Sequence, residues 1–202
     1  MTPTFQRFAA VAAGLAAGVS VLYTITFALY VRESYHWAHW ASAIAYTAGG
    51  LILVPVFIAL HTRLRAAEPE FATLALVAGL AGALGSSVHG AFDIAALTKP
   101  IAGKFASFPS QIDPRGFLTF AITGVALGTF GWLAHRSGQM SRALWPTGAV
   151  ATLLLLVVYF GRLIALDPNR NFIRFSAVAV GLVVVPAFYG IVARDLLAKS
   201  KT

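Results

Sequence analysis

FAAVAAGLAAGVSVLYTITFALYV, Phe8 to Val31, decides the class of this chain: it carries no charged side chain and follows a lone basic residue, Arg7. A helix rising about 1.5 Å per residue crosses the hydrocarbon core of a bilayer in about 20 residues, and this run is long enough. A signal-peptide core is shorter, about 7–15 residues. The run therefore reads as a retained first transmembrane helix. Gly14 and Gly18 within it form a small-xxx-small pair that suits close approach of a neighbouring helix.

The rest of the chain has the same character. With 58% hydrophobic and 11% charged residues and a mean hydropathy of +0.78, it has too few charged groups to cover a soluble globule. The expected fold is all-α, a single integral membrane domain over residues 1–202, built as a polytopic bundle with six transmembrane helices near 8–31, 41–61, 71–97, 117–135, 143–166 and 172–196. Pro55 and Pro186 are expected to bend the second and sixth. The formal net charge of +8 is spread in ones and twos over loops and helix ends, which suits anionic lipid headgroups and argues against nucleic acid. The sequence contains no cysteine, so disulfides, thiolate metal sites and thiol nucleophiles are excluded. An even number of spans puts both termini on one side. The lysines and arginines divide almost evenly between the two sides, and the reading adopted is a multi-pass protein of the cell membrane with cytoplasmic termini.

Within the third run, SSVHGAFD, Ser86 to Asp93, puts an imidazole and a carboxylate into apolar sequence. An Asp at the centre of a membrane helix costs about 2.5–3.5 kcal/mol, so some interaction must offset it. Gly82, Ser86, His89 and Asp93 share one helical stripe, expected to face the bundle interior. Asp93 and Arg162 each lie roughly 6 Å inside the same membrane boundary. An ion pair between them, with Tyr159 donating to the carboxylate, is the expected centre of a ligand-binding site made of Ser86, His89, Asp93, Tyr159 and Arg162.

A sharper alternative adds the loop histidines of RESYHWAHW, Arg32 to Trp40: His36, His39, His89 and Asp93 would make a first shell for zinc or another divalent metal, and a metal-dependent membrane hydrolase. There is no HExxH motif, and Trp37 and Trp40 already explain that segment as an interfacial belt. A small proton-coupled carrier using His89 and Asp93 is the other alternative. The sequence has no P-loop, no GxSxG elbow and no haem-attachment motif. The favoured reading is a non-enzymatic membrane protein, without a cofactor, whose polar site near the non-cytoplasmic face takes a lipid-like or small amphipathic ligand. Its partners are then membrane lipids, such a ligand, a second copy of the chain or another membrane protein.

GLILVPVF, Gly50 to Phe57, and GLVVVPAF, Gly181 to Phe188, align without a gap in spans that run in the same direction, as a parallel repeat of helix hairpins would. The connection TKPIAGKFASFPSQIDPRG, Thr98 to Gly116, reads as a linker in which Lys104, Phe105 and Phe108 anchor at the interface, with a lid as the alternative. QIDPRGFLTF, Gln111 to Phe120, and YFGRLIALDPN, which opens at Tyr159, resemble segments of a loose group of uncharacterised bacterial multi-helix membrane proteins. That resemblance implies a six-helix architecture and says nothing of substrate. It also implies that Asp113, Arg115, Arg162 and Asp167 belong to a shared scaffold.

Overall fold

The structure is a computed structural model and describes residues 1–99, 111–165 and 170–198. Six helices among them are long and apolar enough to cross a membrane: α1 (Pro3–Glu33), α2 (His36–Leu64), α3 (Pro69–Thr98), α4 (Pro114–Ser137), α5 (Leu144–Ile164) and α6 (Asn171–Ala198). The described residues form no strand, and the all-α six-span bundle is as the sequence implies. The interfacial anchors Lys104, Phe105 and Phe108, and also Asp167, Lys199 and Lys201, lie outside the described residues.

Boundaries differ where local hydrogen bonding extends a helix. The stretch expected as a loop from Arg32 to Trp40 is almost all helical, because α1 stops at Ser34, held in the left-handed region at φ 55°, and α2 starts at His36. The Trp40 indole N–H donates to His36 Nε2 at 3.2 Å, one turn back, which fixes that first turn.

Consecutive helices pack side by side and α6 closes on α1, so the six form a ring. In lipid, helices gain little from the hydrophobic effect; small residues and interhelical hydrogen bonds bring them together. The seams here follow that rule. Ser87 Oγ donates to Thr47 O at 3.2 Å between α3 and α2, Thr152 Oγ1 to Gly124 O at 2.7 Å between α5 and α4, and Ser20 Oγ to Gly181 O at 3.0 Å between α1 and α6. Large apolar side chains turn outward: Leu51, Val77, Leu84, Leu153 and Val183 are each more than half exposed. That pattern is stable only in a lipid solvent.

Two spans contain a π-helical segment. In α4, a 3-10 turn at Pro114–Gly116 leads into a π segment at Phe117–Ile122, where the Thr123 N–H reaches Leu118 O. In α6, Val180–Val184 is π-helical just before Pro186. There the Val185 N–H passes over Gly181 to reach Val180 O, and Pro186 has no N–H to offer. The Gly181 carbonyl is thus left without a backbone donor, and the Ser20 hydroxyl supplies one. Pro55, by contrast, sits within an uninterrupted α2. The two aligned segments share roles, Gly50 and Gly181 at close helix contacts and Phe57 and Phe188 fully buried.

The ring is unevenly filled. Toward the side of the termini, Phe57, Leu60, Phe130, Leu144, Phe188 and Leu196 pack into a dense apolar core. Toward the far side, where α1, α3 and α5 end, the middle of the ring is open.

Candidate functional site

That opening is a cavity of about 700 Å³ lined by residues of all six helices. Its volume lies in the range of roughly 300–1,000 Å³ typical of sites that enclose one small ligand. Leu53, Leu127, Leu155 and Val185 line its deep part, and Arg32, Arg162 and Arg174 stand at its far-side mouth. One wall is aromatic: Tyr23 stacks on Tyr46 with ring centroids 4.4 Å apart and on Phe27 at 5.5 Å.

The residues proposed from sequence are spread over this site unequally. Ser86 and Arg162 line the cavity. His89 lies one layer behind, its ring 6.3 Å from that of Tyr46. Asp93 is half-buried, and the imidazoles of His39 and His89 act on it. Tyr159 is directed away from the lining and packs on Phe117 at 5.6 Å. Along the stripe, Gly82 is buried and Ser86, His89 and Asp93 are half-buried, as Leu80 and Phe92 also are, while Leu84 is 59% exposed.

The expected ion pair is not formed. None of the ion pairs among the described residues joins Asp93 to Arg162. The reason is topological: α4 stands between α3 and α5 in the ring, so the two spans are not neighbours. The Arg162 guanidinium instead lies over the Phe120 ring of α4, 5.3 Å from its centroid.

The buried carboxylate of this region is Asp113, only 1% exposed. It stands just before α4 and accepts from Leu118 N at 2.5 Å, Thr119 N at 3.2 Å and Thr119 Oγ1 at 2.7 Å. These are free donors of a helix start, where an anion is favoured. His89 Nδ1 lies 3.6 Å from Asp113 Oδ2 and 3.0 Å from Gly85 O. Both are acceptors when the carboxylate is ionised, so the proton of a neutral His89 belongs on Nδ1. Gly116, at φ 85°, lets the chain turn in beneath this site, and a Cβ there would meet the Phe120 ring. Asp113 precedes Pro114, the first residue of the 3-10 turn, but makes no cap bond to that turn; its oxygens reach past it to the amides that open the π segment.

Of the alternative metal ligands, His39 and His89 both act on Asp93, yet the four do not form a common shell. His36 Nε2 accepts from Trp40, and the His39 ring stacks on Tyr30 at 3.9 Å. Among the described residues no group of three or more His, Asp or Glu side chains is placed to hold a metal ion.

Fold and site together define the class: a multi-pass helical membrane protein with a central cavity that is basic at one mouth. The chain matches no family model, no curated protein and no solved structure.

Proposed function

We propose that this protein binds an amphipathic, lipid-like ligand without transforming it, the polar head at the far-side mouth and the apolar part in the cavity. The observation that carries this reading is the pairing of a deep apolar chamber with a half-buried Arg162 that no described carboxylate neutralises. Burying a cation without a partner is costly, and a ligand head that neutralises it offsets the cost. The aromatic wall of Tyr23 and Tyr46 adds a surface that accepts both apolar groups and hydrogen bonds.

Mass spectrometry of lipids extracted from the purified protein tests this directly. An amphiphile retained in about equimolar amount by the native chain, and reduced in Tyr46→Trp, where the larger ring intrudes on the chamber, is expected. Recovery of bulk membrane lipid alone, in the same proportions from both proteins, would end the proposal.

A further inference from the structure

The seam between α1 and α6 changes along its length. Near the termini it is tied by Gln6 Nε2 donating to Leu196 O at 2.6 Å, and at mid-depth by Ser20 donating to Gly181 O at 3.0 Å. At Gly181 the two backbones are so close that a Cβ would strike the Thr24 side chain. Beyond that point no hydrogen bond or ion pair among the described residues joins 25–33 to 171–180. Here a second hollow, of about 240 Å³, lies against the seam, and its lining includes the exposed Ile25 and the half-buried Leu182. Thr24, Ala28, Arg32 and Val178 line both this hollow and the central cavity. The partition between acyl chains and chamber is therefore a single side chain thick, and at Ala28 that side chain is a methyl group.

Resting on the binding reading above, the geometry points to one ligand class and one route: a bilayer lipid with an anionic head, carboxylate or phosphate, drawn sideways from the far leaflet between α1 and α6. Its head meets Arg162, flanked by Arg32 and Arg174, while its chain passes Ala28 and Val178. A guanidinium held over an aromatic ring keeps its N–H edge free for two parallel bonds to an oxyanion. Among the described residues, the nearby carboxylates do not compete for that edge. Asp113 is taken up by the start of α4, Asp93 lies toward His39 and His89, and Glu33 lines the outer hollow. A sideways path also keeps the chain in hydrocarbon throughout, whereas a path through the basic mouth would carry it through water.

The test uses the full chain in phosphatidylcholine vesicles with spin-labelled stearate, its uncharged methyl ester, and inorganic phosphate as competitor. Stearate should be immobilised with affinity about tenfold or more above the ester, the size of one charge-assisted contact; Arg162→Gln should erase the difference, and Arg162→Lys, which keeps the charge but loses the two-pronged fork, should keep only part of it. Inorganic phosphate should not displace it. Because the native chain has no cysteine, single variants Ala28→Cys and Val178→Cys can each carry one bulky maleimide. Either label should slow stearate uptake several-fold; the same label at Leu153→Cys, on the lipid-facing side of α5 and 62% exposed, should not. Equal binding of ester and acid in the native chain would overturn the anionic head. Displacement by phosphate would make the source aqueous, and uptake unaffected by both seam labels would overturn the route. Failure to immobilise either lipid would instead sink the binding reading itself.

Discussion

Asp113 ties the start of α4 through three hydrogen bonds to Leu118 and Thr119. Replacing it with alanine leaves the amides of Leu118 and Thr119 and the Thr119 hydroxyl without their acceptor. Each buried group so stranded costs about 1–3 kcal/mol, and partial relaxation brings the expected total to roughly 2–4 kcal/mol. Asp113→Ala should therefore lower the melting temperature in detergent by several degrees, and Asp113→Asn, which keeps one acceptor oxygen, by less. The same measurement separates two glycines. Gly116→Ala meets both the positive φ of 85° and the Phe120 ring and should cost more than about 1 kcal/mol, whereas Gly14→Ala, with nothing within 4 Å of the added carbon, should be neutral or stabilising. Tyr189 makes the opposite case to Asp113: its buried hydroxyl has no hydrogen-bond partner among the described residues. Tyr189→Phe should leave stability unchanged or raise it, since no bond is lost.

At the scale of helices, seam strength depends on where glycine removes a side chain and a hydroxyl reaches across. Gly82 and Gly85 let α3 lie against Thr123 and Leu118 of α4, and Gly90 lets it lie against Thr47 of α2. Ser20→Ala should loosen α1 from α6, because the Gly181 carbonyl would then have neither a backbone nor a side-chain donor; the expected loss is about 1–3 kcal/mol. Faster deuterium exchange of the α6 amides around Val180 would register it, and unchanged exchange there would count against this account of the π segment. The helices themselves were legible in the sequence, since runs of apolar residues of spanning length have few other uses. Their neighbours were not. Asp93 and Arg162 match in depth, which rise per residue fixes, but depth says nothing about the order of spans around a ring, and α4 separates them. Gly14 and Gly18 suggested a contact that is absent inside the bundle, because a close-packing spacing does not reveal which face it occupies. The pair Asp113-Pro114 marks a helix start in the sequence, whereas the reach of Asp113 to Leu118 and Thr119, and its burial, followed only from the fold.

Across the whole molecule, Phe57 and Phe130 stack with centroids 6.0 Å apart in the packed half, while Arg162 opens onto the hollow half. The protein in sealed vesicles is accordingly expected to pass neither ions nor protons above the protein-free background. A fluorescent proton indicator inside the vesicles checks this, and a sustained pH-driven flux would require the aromatic plug to part. A cup that has its base among the chain ends and its lip at the opposite leaflet imposes sidedness on any cargo. In this conformation a molecule held in the cup can exchange only with the leaflet at its lip, and delivery to the other side of the bilayer would require the packed base to open.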